Sequence, residues 1–156
     1  MQTGSPQSHS EPVSVCFGDQ RGQHLTITVL RRENPGASDY NDANWLVVSV
    51  DICAGSFRGR FDATFVAYEF DPFKKQLEAL QQTLKGIAEF ETLEGQLSIK
   101  IEGDGHGHLT MTCVALDAPG IGNSLKFALN LDQTYLPAIV RELSQLMLAY
   151  PVINPK

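Results

Sequence analysis

Apolar residues in this chain return at every second position in segment after segment, and only twice does the spacing widen to that of a helix. A period of two puts one set of side chains on each face of a strand, so such a chain must bury one face of a sheet against something else. HLTITVL sets Leu25, Ile27 and Val29 on one side and Thr26 and Thr28 on the other. WLVVSVDI gives Leu46, Val48, Val50 and Ile52 one face, while Trp45 and Val47 begin an apolar patch on the other, so that strand is expected to start covered on both sides. AGS at 54 to 56 breaks the run. FRGRFDATFVA then returns with Phe57, Phe61, Ala63 and Phe65 facing inward, opposite Arg58, Arg60, Asp62 and Thr64. In the second half AEFE, QLSIKI, LTMTCVAL and LKFALNL repeat the alternation, with inward sets that include Ala88 and Phe90, then Ile99 and Ile101, then Met111 and Cys113, then Phe127 and Leu129.

Two segments carry helical spacing. DPFKKQLEALQQTLKG predicts a helix over 71–85, with Asp71 as N-cap, Pro72 in the first position, Gly86 in the left-handed position past the end, and a stripe of Phe73, Leu77, Leu80 and Leu84. DQTYLPAIVRELSQLML predicts a second over 134–148. Thr134 is preferred to Asp132 as its cap because that leaves Pro137 in the first turn, and Leu136, Ile139, Val140, Leu143 and Met147 form the buried stripe. The order is four strands, a helix, four strands and a helix. It predicts an α+β fold: a mainly antiparallel sheet of about eight strands with two amphipathic helices packed on it. The two halves share this order without a sequence match between them.

A chain of 156 residues removes roughly 70% of its unfolded surface from water as one domain, expected at 13–156 behind a loose Ser, Gln, Pro and Gly-rich tail at 1–12. A formal charge of −6 disfavours nucleic acid and anionic membranes as partners. The start has neither the basic nor the apolar region of a secretory leader, and no apolar run reaches the roughly 20 residues of a membrane span. Cys16, Cys53 and Cys113 are odd in number and widely spaced, which argues against a disulfide framework or a zinc ribbon and for a reduced, cytoplasmic setting.

EGDGHGHL at 102–109 is the stretch that most resembles chemistry. It lacks the lysine and the following helix of a phosphate loop. Asp104, His106 and His108 could offer a metal a carboxylate and two imidazoles, which makes a metal-dependent hydrolase the competing reading. The preferred one is a turn at 103–105. DYNDAN at 39–44 lacks the glycine of a calcium loop, Ser56 lacks a nucleophile-elbow spacing, and Cys53 and Cys113 fall on inward or half-inward positions. No nucleophile, base and oxyanion set assembles, so no enzyme and no cofactor are expected. A small-ligand binding module is a third class; it would need a deep apolar pocket that the sequence does not foretell.

Charge supplies the last candidate. Glu89, Glu91, Glu94, Glu102 and Asp104 are answered only by Lys100 among their neighbours in sequence. Alternation sends Glu89, Glu91 and Glu102 outward, and matching the inward sets places Glu102 opposite His106 or His108 with Asp104 at the tip of an odd-length loop. These acids either form a partner-binding face or solvate the sheet, pairing with Lys100, Arg58 or Arg60.

NWLVVSVDICAGSFRGRF, FKKQLEALQQTLKG, AEFETLEGQLSIKIEGDGHGH and LKFALNLDQTYLP together resemble the WapI family of bacterial immunity proteins over roughly residues 44–148, with GDGHGH and LDQTYLP the most distinctive pieces. The resemblance implies a small cytoplasmic protein that binds and blocks a cognate contact-dependent toxin domain. It brings no catalytic motif and says nothing of oligomeric state.

Overall fold

The structure, a computed structural model, describes residues 12–155. The tail expected at 1–12 lies, but for its last residue, outside them. The α+β expectation holds, and the eight strands form two four-stranded antiparallel sheets. The first contains β1 (Val13–Gly18), β2 (His24–Arg32), β3 (Trp45–Ala54) and β4 (Phe57–Val66), and the second β5 (Lys85–Glu91), β6 (Leu97–Asp104), β7 (His108–Leu116) and β8 (Ser124–Asp132), each in sequence order. A short helix α1 (Tyr40–Ala43) precedes β3; α2 (Phe70–Thr83) follows the first sheet and α3 (Leu136–Ala149) the second. Each long helix is entered through one turn of 3-10 helix, Ala67–Glu69 and Gln133–Tyr135.

The inward sets of both sheets join both helices in a single core. Phe90 of β5 lies at its centre, with ring centroids 5.3 Å from Phe70, 5.4 Å from Phe73 and 5.8 Å from Phe65. The helices are exchanged between the halves: α2 packs along β5 and α3 along β1. Each also caps an edge strand. Gln76 Oε1 accepts the Glu89 N–H of β5 at 2.7 Å, and Glu142 Oε1 accepts the Cys16 N–H of β1 at 3.1 Å. Both are the seventh residue of a 14-residue helix, so the two halves solve the same edge problem in the same place. Neither Gln76 nor Glu142 was singled out from sequence. Their only signal was a polar residue beside the buried stripe at matching positions of the two helices.

Helix ends depart from expectation. Asp71 is not the cap of α2, which begins at Phe70; Glu69 instead reaches back so that its Oε1 accepts the Val66 N–H at 2.6 Å. Leu84, at φ 60°, takes the left-handed position that ends α2, while Gly86, also at positive φ (128°), already belongs to β5. The cause is tertiary. Gly105 donates to the Leu84 carbonyl at 2.8 Å, so the end of α2 is held by the second sheet instead of by its own glycine. Before α3 the capping side chain is Asp132, not Thr134, and it caps the 3-10 turn rather than α3 itself: the Asp132 carboxylate accepts from the Thr134 N–H at 2.8 Å and from its hydroxyl.

Two residues change sides. Phe57 is 65% exposed because it ends the β3–β4 hairpin beyond the core, and Leu146 takes the full burial expected of Val140. The loop at 34–44 is not wholly irregular: Asp39 caps α1, and Asn44 is fully buried. Asn44 Nδ2 donates to the carbonyls of Tyr40 at 2.7 Å and Ile153 at 2.8 Å, while its Oδ1 accepts the Ile153 N–H at 2.8 Å. A polar group this deep is stable because its donors and acceptor are met, and it ties the chain after α3 to the first sheet.

Candidate partner-binding face

The antiparallel register arranges the outward side chains of the second sheet in rows across its four strands. Ile87, Glu102, Thr110 and Asn130 form one row, Glu89, Lys100, Thr112 and Ala128 the next, and Glu91, Ser98, Val114 and Lys126 the third. Glu89, Glu91 and Glu102 are exposed, since Ala88, Phe90, Ile99 and Ile101 hold the inward positions. The face is mixed and not purely acidic: Lys100 is the cross-strand neighbour of Glu89, and Lys126 closes the Glu91 row. Arg58 and Arg60 belong to β4 of the other sheet. Among the described residues, ion pairs join His24 to Asp51, Lys74 to Glu78 and Lys75 to Asp71, and none draws on Glu89, Glu91 or Glu102. An open depression of about 350 Å³ lies on this face, lined among others by Glu89, Glu91, Lys100 and Lys126.

Two side chains from the first half steady the β5 side of this face. Gln76 fixes the backbone at Glu89. Glu69 holds the β5–β6 connection, its Oε2 accepting the Leu93 N–H at 2.9 Å. Burial pushes the Glu69 carboxyl above the usual range, against the two backbone hydrogen bonds that favour its charged form.

The turn at the end of the face lies later than expected. β6 continues through Asp104 and β7 starts at His108, so residues 105–107 reverse the chain, with φ 89° at Gly105 and 102° at Gly107. Inward residues do face inward residues, but Glu102 stands opposite Thr110 instead of His106 or His108. His106, not Asp104, occupies the middle of the loop. Gly103 explains the shift. A Cβ there would stand 2.4 Å from the Leu84 carbonyl oxygen, so this glycine serves the close passage of β6 under the end of α2. Asp104 then becomes a strand-end residue opposite Lys85, and its Oδ1 accepts the N–H groups of His106 at 2.7 Å and His108 at 3.2 Å. These bonds hold its carboxyl below the usual carboxylate range. They use Asp104 as the fastener of a turn.

The chain matches the Immunity protein WapI-like family over residues 16–151. It belongs to that family. No curated protein matches it. Among solved structures it is similar to one titled "Crystal structures of trypanosoma bruciei MRP1/MRP2", with TM-score 0.45 and 11% identity over 88% of this chain and 84% of that one. It is also similar to "Structure of a guideRNA-binding protein complex bound to a gRNA", with TM-score 0.46 and 12% identity over 90% of each chain. Likenesses of this size carry no functional weight.

The other candidates in this WapI-like chain fall back into structure. Among the described residues no group of three or more His, Cys, Asp or Glu side chains is placed to hold a metal, which leaves the hydrolase reading of Asp104, His106 and His108 without a site. Cys113 is fully buried and its thiol is pushed up to about 12 by desolvation, the opposite of what a nucleophile needs. Ser56 sits in the β3–β4 hairpin turn. One cavity of about 240 Å³ opens between the β1–β2 turn and β8, and another of about 240 Å³ near Phe57 and Leu125. Both fall below the roughly 300 Å³ at which small-molecule pockets begin. The larger depressions, about 470 Å³ beside Glu33, Asn34 and Asp42 and about 350 Å³ on the outward face of the second sheet, are open and lined mostly by charged and polar side chains rather than deep and apolar. Among the described residues no helix is long and apolar enough to cross a membrane.

Proposed function

We propose that this protein is a non-catalytic immunity protein that binds and neutralises a cognate contact-dependent toxin domain in the bacterial cytoplasm. The observation that carries the proposal is membership of the WapI-like immunity family over residues 16–151. The proposed contact is the outward face of the second sheet, centred on Glu89, Glu91 and Glu102 and bordered by Asp104. Support comes from three exposed carboxylates that make no ion pair among the described residues. They stand on rigid strands, so little ordering is needed when a partner arrives. A chain of net charge −6 is steered toward a basic surface, such as the cleft of a toxin that acts on nucleic acid.

Identifying the product of the neighbouring gene and, where it is a toxin domain, co-expressing the two tests the function. Cells survive only with this protein present, and the two co-purify; survival without a complex sinks neutralisation by binding. The triple variant Glu89→Lys, Glu91→Lys, Glu102→Lys tests the face. It slows association and weakens its salt dependence, while each change costs less than about 0.5 kcal/mol of folding stability. Unchanged association by the folded variant moves the interface to another surface.

A further inference from the structure

Two of the four sheet edges are closed by helix side chains, those of β1 and β5. A third, β8, is overhung along Leu129 to Leu131 by the β1–β2 turn, which shares a cavity with it. β4 borders a cavity with Asn123, Ser124 and Leu125 through Phe57, Arg58, Gly59 and Phe61, yet among the described residues no hydrogen bond closes its edge. The Ala67 N–H bonds to the Asn44 carbonyl across the β3 ladder while the Val66 N–H turns away to Glu69, so odd-numbered residues of β4 bond to β3. By alternation, Arg58, Arg60, Asp62 and Thr64 aim their N–H and C=O groups at the open edge. Among the described residues nothing beyond the β3 ladder meets those N–H groups. The β3–β4 register is continuous over ten residues of β4, with no bulge and no proline to blunt the edge.

We propose that β4 pairs with β4 of a second copy of this chain, antiparallel about a two-fold axis at Phe61, so that Arg60 of each copy faces Asp62 of the other. Charge complementarity selects both the partner and the register. Hydrogen-bonded pairing requires the even-numbered edge residues to face one another. Centring the axis on Arg60 sets arginine against arginine, and centring it on Asp62 sets aspartate against aspartate. The axis at Phe61 turns both like-charge contacts into two Arg60–Asp62 pairs, with Arg58 facing Thr64. In the monomer Arg60 Nε donates to Ser49 Oγ of β3 at 3.2 Å, away from the open edge, so pairing exchanges this contact for Asp62 of the second copy. This surface is distinct from the acidic face of the second sheet and does not rest on it.

Sedimentation equilibrium on the purified full chain tests the pairing. The wild-type protein populates a dimer that dissociates on dilution, and a monomer at every concentration overturns the proposal. Arg60→Asp and Asp62→Arg each weaken dimerisation by on the order of tenfold or more, since each sets two like-charge contacts across the axis. Mixing the two single variants restores a heterodimer. The double variant Arg60→Asp, Asp62→Arg restores the homodimer in the Phe61-centred register and not in those centred on Arg60 or Asp62, so its failure to self-associate while the wild type dimerises also overturns the proposal. Thermal unfolding of each variant in its monomeric range confirms that the fold is retained.

Discussion

The two halves of this molecule run through the same elements, four antiparallel strands and then a helix, yet they finish their sheets with different chemistry. Both edge strands nearest a helix need an acceptor for an exposed N–H. The second sheet receives an amide oxygen from Gln76 and the first a carboxylate from Glu142. Both 3-10 turns need a cap. The first is closed from behind by half-buried Glu69 and the second from in front by exposed Asp132. The long connection between β2 and β3 is pinned by Asn44, whereas β6 and β7 are joined by three residues around His106. Backbone geometry sets the demand, and the side chain that meets it depends on what surrounds each site. Because each helix serves the other half's edge, the halves are expected to fold as one unit.

That dependence is strongest where the halves meet, and breaking it gives the largest effect. Phe90→Ala removes the ring that touches Phe65, Phe70 and Phe73, and is expected to cost about 3–5 kcal/mol in urea unfolding. Phe57→Ala, at the exposed end of the first sheet's hairpin, stays within about 0.5 kcal/mol in the monomer. Unfolding of the Phe90 variant in two separate transitions would show that the halves are independent and end the argument from exchanged helices.

The edge caps give a middle-sized effect and sharpen the comparison. Gln76→Ala and Glu142→Ala each leave an edge N–H without its protein acceptor and cost about 0.5–1.5 kcal/mol. The conservative exchanges are not equivalent. Glu142→Gln keeps an accepting oxygen beside Cys16 and is nearly silent. Gln76→Glu sets a new carboxylate against the strand that carries Glu89 and Glu91, and loses stability that added salt partly restores. Equal tolerance of the two exchanges, measured by urea unfolding at low and high salt, would mean that the local charge around each cap does not matter.

The same contrast explains what the sequence revealed. Strand faces were legible because alternation is a local signal strengthened by burial, and Ala88, Phe90, Ile99, Ile101 and Cys113 all point as their spacing required. The outward placement of Glu89, Glu91 and Glu102 follows from the same rule. Helix ends and the turn were less legible because partners distant in sequence decide them. Leu84 adopts a left-handed conformation under a hydrogen bond from Gly105, Gly103 loses its turn role to the close approach of the Leu84 carbonyl, and the reversal moves to 105–107. Composition resembling a site, as in GDGHGH, meant only that several special backbone positions are crowded together.

The smallest expected effect is a pH dependence of opposite sign in the two 3-10 caps. Burial raises the Glu69 carboxyl, so the folded state holds its proton more tightly than the unfolded chain does. The stability linked to that proton is fully present below the unfolded pKa and is lost as pH rises through the folded one. Asp132 is lowered, first by the Thr134 hydroxyl and then by the Thr134 N–H. Its contribution is present above the unfolded pKa and is lost as pH falls through the folded one. Glu69→Gln removes the falling contribution, so its stability relative to wild type climbs with pH. Asp132→Asn removes the rising one, so its relative stability drops as pH climbs. Urea unfolding of both variants and wild type between about pH 3 and pH 6 reads the two slopes directly. Slopes of the same sign would show that burial does not dominate at Glu69, and that its two backbone hydrogen bonds make it the electrostatic equivalent of Asp132.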